Sequence, residues 1–113
     1  MSYRYMRLVV LFDLPTTTLE DKKEYRRFRK FLINEGFIMY QYSVYSKLFL
    51  NNTSKETMVE RVRRNAPKKG SVSLLSITEK QFAKIILIAG QKDCSVANTD
   101  VRIVILGDDD DEA

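Results

Sequence analysis

The sequence predicts one α+β domain in which two helices cover a single face of an antiparallel sheet, in the order β-α-β-β-α-β with further strand material at the C-terminus. Three observations predict it. The apolar pattern alternates between the strand period of two and the helix period in that order along the chain. Each helical stretch opens on a threonine with a glutamate three residues later, and closes at a glycine or a proline. No repeat or composition break divides the 113 residues, a length that suits one domain. This order is the split βαβ, or ferredoxin-like, arrangement.

Residues 4–13 read as the first strand. Met6, Leu8, Val10 and Phe12 fill one side, and Val9 and Leu11 make the other side apolar as well, so both faces are expected to be covered. Asp13 ends the run. The segment "LPTTTLED" turns the chain into a helix, with Thr17 and Glu20 as the capping box. The helix is expected to run to about Glu35 and stop at Gly36. Leu19, Tyr25, Phe28, Phe31 and Leu32 form its inward stripe.

"FIMYQYSVYSKLFL" is aromatic and β-branched, which predicts strand with a tight bend near Gln41–Ser43. Thr53 and Glu56 make a second capping box, Met58, Val59, Val62 and Ala66 an apolar stripe, and Pro67 the stop. "SVSLLSIT" follows the "KKG" turn as a strand, and "FAKIILIAG" is expected to be another. These segments place the ferredoxin-like domain at 1–90. Residues 91–107 hold a polar loop, expected to be flexible, and the short strand "VRIVIL"; residues 108–113 are an acidic tail expected to be disordered.

The sheet face away from the helices is expected to be apolar, with Val9, Leu11, Phe37, Met39, Tyr45 and Phe49 as candidates for it. Such a face implies a partner, most simply a second copy about a two-fold axis, and the last strand would then pair with that copy's sheet edge. Asp13 shares a side with Val9 and Leu11. In a homodimer packed through the open face, two Asp13 carboxylates converge, and a proton or a divalent cation must lie between them. The alternative reading is that Asp13 only starts the turn before Pro15.

The chain holds no histidine, which excludes Ser-His-Asp, Cys-His and His-metal chemistry. Carboxylates remain, and these prefer hard cations such as Mg²⁺ or Mn²⁺. The tail Asp108–Glu112 carries five of the fifteen acids, so the body sets ten acids against nineteen Lys and Arg, a net +9. A small body so basic attracts a polyanion. The first helix offers Lys22, Lys23, Arg26, Arg27, Arg29 and Lys30; the second offers Arg61, Arg63 and Arg64, followed by Lys68 and Lys69. Dispersed cations of this kind suit phosphate contacts. The alternative is a solvated helix face with pairs such as Glu60–Arg64. The RNP1 pattern of RNA-recognition motifs is missing from the third strand. A lone cysteine, Cys94, and the lack of a long apolar run or a signal-peptide pattern predict a cytoplasmic protein with no membrane partner.

Three segments together carry a resemblance. "VVLFDLP", "RRFRKFLINEGF" and "YQYSVYSKLF", including Gln41, Ser43, Val44 and Tyr45, match in order and spacing the CRISPR-associated protein 2 family, the small adaptation subunit, in the variant that accompanies type II systems. The resemblance covers roughly residues 4–90. It implies a ferredoxin-like homodimer whose C-terminal strands cross to the partner. It also implies a metal-dependent endonuclease, acting on double-stranded DNA or on RNA, with Asp13 as catalytic residue and metal ligand of each chain, Arg27 near the site, and Mg²⁺ or Mn²⁺ as cofactor. It further implies a scaffold for the CRISPR integrase subunit during spacer acquisition, with DNA on Lys22, Lys23, Arg26, Arg27, Lys30, Arg61, Arg63 and Arg64. Tyr25 stands where the family often has an arginine, and Phe12 where it often has tyrosine; both departures count against efficient cleavage and leave scaffolding untouched. A purely non-catalytic DNA-binding scaffold and a stand-alone toxin-like ribonuclease are the alternatives.

Overall fold

The computed structural model describes residues 5–90. The expected loop and strand of 91–107, Cys94 and the tail 108–113 lie outside the described residues, as does residue 4 of the expected first strand. The elements are β1 (Met6–Asp13), α1 (Leu19–Asn34), β2 (Ile38–Gln41), β3 (Val44–Phe49), α2 (Asn52–Asn65), β4 (Ser71–Thr78) and a short α3 (Glu79–Phe82). The four strands form one antiparallel sheet in the order β2-β3-β1-β4, with β1 and β3 central. This is the ferredoxin-like order that the sequence predicts.

The even side of β1 makes the core. Leu8, Val10 and Phe12 pack with Phe28 and Leu32 of α1 and Met58 and Val62 of α2. Phe12 is the hub: its ring meets Phe28 edge-on at 5.4 Å, stacks on Tyr45 at 5.8 Å and meets Tyr25 at 6.0 Å. Aromatic pairs in such geometry add about 0.5–1.5 kcal/mol each beyond area burial.

The helix starts differ from expectation by a residue or two. The first cap is Thr18, whose hydroxyl accepts from Asp21 N at 3.0 Å while the Asp21 carboxylate accepts from Thr18 N at 3.2 Å. A cap one residue later than Thr17 makes Leu19 the first helical residue, before the helix meets the sheet, and Leu19 is exposed rather than inward. The second helix is capped by Asn51, not Thr53; the Asn51 side chain accepts from Ser54 N at 2.8 Å. "FAKIILIAG" forms no strand. Thr78 and Gln81 make a third capping box and wind the chain into α3 instead, and residues 85–88 follow without regular structure.

The end of α1 is as expected and more elaborate. Gly36 takes φ 97°, its N–H donates to Ile33 O, and Phe37 N–H donates to Leu32 O, both at 3.0 Å. These are the two bonds of a Schellman motif, and the accompanying apolar contact is made by Phe37 and Leu32, both buried. Lys47 of β3 donates from Nζ to Glu35 O at 2.7 Å, beside Gly36, where a Cβ would lie 3.1 Å from that nitrogen.

Register corrects the assignment of the open face. Tyr45 pairs with Val10 and Phe49 with Met6, so both aromatics join the even, helix-covered side, and Phe37 enters the core through its cap. Met39 pairs with Tyr45 and belongs to that side also, half exposed at the sheet edge next to a bulge between Met39 and Gln41. Val9 and Leu11 do lie on the open side, joined across the ladders by Leu48, Leu75 and Ile77. Leu11, Leu48 and Leu75 are exposed there, and Ile38 with them. α3 covers one end of this face: Arg7 bonds Glu79, and its guanidinium lies 4.5 Å from the centre of the Phe82 ring, which in turn meets Tyr40.

Candidate functional site

Asp13 is the last residue of β1, on the open side of the sheet and exposed to solvent. Its placement follows from its neighbours. Phe12 is fixed by the aromatic hub beneath. On one flank β1 is held by β4 through the pair Asp13–Ser71, and on the other Phe12 N–H donates to Ser43 O at 3.1 Å. Gly70 completes the seat. Its φ is 85°, and a Cβ there would come within 2.5 Å of the Asp13 carbonyl oxygen. The requirement for a bare α-carbon at Gly70 is a close approach between distant segments that the sequence pattern does not signal.

One carboxylate per chain is a small donor set. Among the described residues no cluster of three or more acidic, histidine or cysteine side chains could hold a metal ion. A Mg²⁺ ion, however, commonly takes only one or two protein carboxylates and keeps several waters. An exposed Asp at a strand end fits that demand by its hard oxygen chemistry, and the fit is better with two such groups.

The basic candidates divide into two sets. Lys22, Lys23, Arg26 and Lys30 of α1 and Arg64 of α2 are exposed and form no ion pair among the described residues. Arg27, Arg61 and Arg63 are already engaged. Arg61 pairs with Glu35, and Arg63 with Glu60 at 3.3 Å, the pair that spacing assigned to Arg64. Arg27 is bound to Glu24 at 3.0 Å and also donates from Nη2 to the carbonyl of Asn65 at 2.9 Å, so it closes the C-terminus of α2. No ion pair or hydrogen bond joins Arg27 to Asp13 among the described residues. The Glu24 carboxyl is held below the usual carboxylate range, chiefly by its hydrogen bonds from Arg27.

Arg27 instead lines a cleft of about 530 Å³ between the end of β1 and the facing ends of α1 and α2, floored by Leu14, Pro15, Tyr25 and Pro67 and rimmed by Glu20, Asp21, Arg64, Lys68 and Lys69. Burial pushes the Tyr25 phenol up, hydrogen bonding with Tyr42 adds to the shift, and hydrogen bonding with the Ser43 hydroxyl opposes it. Sequence reasoning singled out neither the cleft nor this hydroxyl group, because the residues that make them come from separate elements.

The fold and site thus define a small ferredoxin-like protein with a lone strand-end carboxylate and a basic helical face. Comparison with known proteins makes the class specific. Residues 6–85 match the family model described as CRISPR associated protein Cas2. A CRISPR-associated endoribonuclease Cas2 from Streptococcus mutans serotype c (strain ATCC 700610 / UA159) is 55% identical over 103 residues, 91% of this chain and 94% of that protein. Proteins of the same name from Treponema denticola and Ligilactobacillus salivarius are each 48% identical over 101 residues, 89% of this chain and all of theirs. A crystal structure of Cas2 shares the fold with a TM-score of 0.56 at 18% identity, covering 86% of this chain and 99% of that one. The chain belongs to the Cas2 family of CRISPR-associated proteins. No helix among the described residues is long and apolar enough to cross a membrane.

Proposed function

We propose that this chain acts as a homodimeric, metal-dependent phosphodiesterase of the CRISPR system and holds nucleic acid on its basic helices while it scaffolds the integrase subunit in spacer acquisition. The observation that carries the reading is Asp13, an exposed carboxylate at the end of a largely buried strand, on a sheet face that also exposes Leu11, Leu48 and Leu75. A second copy packed on that face would double the donor set and cover Leu11, Leu48 and Leu75. Asp13 of each chain would hold Mg²⁺ or Mn²⁺; the ion, when bound, supplies Lewis-acid stabilisation of a phosphoryl oxygen. Asp13 itself repels phosphate, so its role is to fix the cation, while Lys22, Lys23, Arg26 and Lys30 attract and register the strand. The relatives from Streptococcus mutans and Treponema denticola are named endoribonucleases, which favours RNA as the cleaved substrate. Duplex DNA is the ligand expected on the helices.

The test is cleavage of RNA and of duplex DNA by highly purified Asp13→Ala protein in Mg²⁺ or Mn²⁺. Cleavage falls to background while sedimentation still reports a dimer; cleavage at the unmutated rate refutes the nuclease reading. A second reading, the non-catalytic scaffold, is favoured by one observation: Arg27 is committed to Glu24 and to Asn65 and is not available beside Asp13. Under it, Asp13→Ala leaves spacer acquisition intact and charge reversal at Arg26 abolishes it.

A further inference from the structure

The outer face of α1 carries five cations and no acid. Lys22, Lys23, Arg26, Arg29 and Lys30 are all exposed, and none forms an ion pair among the described residues. At about 100° per residue they fall within an arc of about 120°, along about 12 Å of helix. The acids of α1 lie off this arc. Glu20 and Asp21 border the cleft, where Asp21 caps the helix and meets Lys69, and Glu24 is bound to Arg27. Lys22 and Arg26, and Arg26 and Lys30, are four residues apart, and Arg26 and Arg29 are three apart. Like charges at these spacings weaken a helix. An anion laid along the face relieves that repulsion.

The chain itself supplies such an anion. Asp108–Glu112 is a run of five consecutive carboxylates, one for each of the five cations of α1. Drawn out, five residues span about 13–14 Å from first to last, close to the length of the cationic face. Reach allows the contact. The about 18 peptide steps from Gly90, the last described residue, to Asp108 span at most about 65 Å, against 40 Å for the longest dimension of the molecule. Attachment to the same chain makes the docking intramolecular, so even a weak contact is populated at any protein concentration.

We propose that Asp108–Glu112 docks along the Lys22–Lys30 face of α1 as a phosphate mimic and holds that surface shut until a nucleic acid displaces it. This rests on the reading that α1 binds nucleic acid, and it adds a regulation of that same surface. The tail carries about one charge per 3.3–3.6 Å, whereas duplex DNA carries one per about 1.7 Å of its axis. A duplex long enough to cover the helix therefore wins the face, and a short or sparsely charged ligand is turned away. The duplex must expel five carboxylates as it binds, so fewer counterions are released in the net exchange. The dependence of affinity on salt is then shallower with the tail than without it.

The experiment compares the full chain with a chain ending at Gly107, and with a chain of full length carrying Asp108→Asn, Asp109→Asn, Asp110→Asn, Asp111→Asn and Glu112→Gln together. Binding of a fluorescein-labelled DNA duplex is followed by anisotropy across a salt series. Both tail variants are expected to bind about tenfold tighter at low salt and with a steeper salt slope. When Lys22→Gln, Arg26→Gln and Lys30→Gln are made together in each chain, the gain from losing the tail vanishes. A gain that survives this neutralisation overturns the proposal, because the tail then acts as general repulsive charge. Equal duplex affinity with and without the tail, while Arg26→Glu still weakens binding, also overturns it. Amide chemical shifts report the docking without nucleic acid. Removal of the tail should move the signals of residues 22–30, and the peptide GDDDDEA added to the shortened chain should move them back. Unmoved signals on α1 overturn the proposal. Failure of the parent reading is distinct: if Arg26→Glu leaves duplex affinity unchanged while tail removal still moves the α1 signals, the nucleic-acid reading falls and the tail contact stands.

Discussion

Arg7 grips both carboxylate oxygens of Glu79 from a position 72 residues earlier, with Nε to Oε1 at 2.8 Å and Nη2 to Oε2 at 2.7 Å. The same guanidinium lies over the Phe82 ring. One side chain of β1 thereby fastens α3 across the open face. A bidentate pair of this kind is stronger than an ordinary surface ion pair, though the partial exposure of Glu79 weakens it. Arg7→Ala is expected to lower unfolding free energy in urea by about 1–2 kcal/mol. Glu79→Gln should cost less, and the double variant should fall short of the sum of the singles, since both remove one interaction.

Gly70 supports Asp13 from below. Gly70→Ala places a Cβ against the Asp13 carbonyl at a φ that alanine avoids, so destabilisation should exceed about 1 kcal/mol. The proposed metal-dependent cleavage should fall further than the folded fraction does, because the strand end itself moves. Activity at a temperature where circular dichroism reports full folding separates the two losses.

Arg26 and Arg27 are neighbours with different expected effects. Arg26 forms no ion pair among the described residues, whereas Arg27 bridges Glu24 and the end of α2. Arg26→Glu should weaken duplex binding and flatten the plot of log affinity against log salt by about one phosphate contact's slope or more. Arg27→Ala should change that slope less and lower the melting temperature, because the Asn65 carbonyl loses its donor. Fluorescence anisotropy across a salt series and thermal melts distinguish them.

The Thr18–Asp21 capping box predicts an acid sensitivity. The Asp21 carboxyl lies below its ordinary range, first because Thr18 N–H donates to it; burial opposes this, and the Thr18 hydroxyl and Lys69 add to it. A depressed carboxyl contributes stability that is fully present above its unfolded pKa and lost as pH falls through the folded one. Stability should therefore fall on the acid side below the usual carboxylate range, and Asp21→Asn should flatten that limb. Thr18→Ala should cost about 1 kcal/mol at neutral pH. Urea titrations over an acid pH series measure both.

The strands were legible because period-two patterning and turn residues are local signals. Ser71–Thr78 and the bend before Val44 stand where the pattern puts them. The faces of β3 were not legible, because every residue from Val44 to Phe49 bears on one side or the other through its register with β1, and register is a property of two strands. The T-x-x-Q signal at Thr78–Gln81 is local and present in the sequence, whereas the apolar run 85–88 suggests a strand; in the structure the cap prevails. At the site, Asp13 was visible as an acid ending an apolar run. Its seat on Gly70 and the diversion of Arg27 to Asn65 each depend on residues far apart in the chain.

Lys47 carries a consequence for the order in which the chain closes. A β3 ammonium adds a hydrogen bond to the cap of α1, reaching back 12 residues to the Glu35 carbonyl. The local bonds of Gly36 and Phe37 can close the last turn alone, but the Glu35 carbonyl gains this donor only when the third strand has arrived. Amide exchange should find the two opening together, as a single cooperative unit, with Lys47→Met uncoupling the helix end and letting it fray alone.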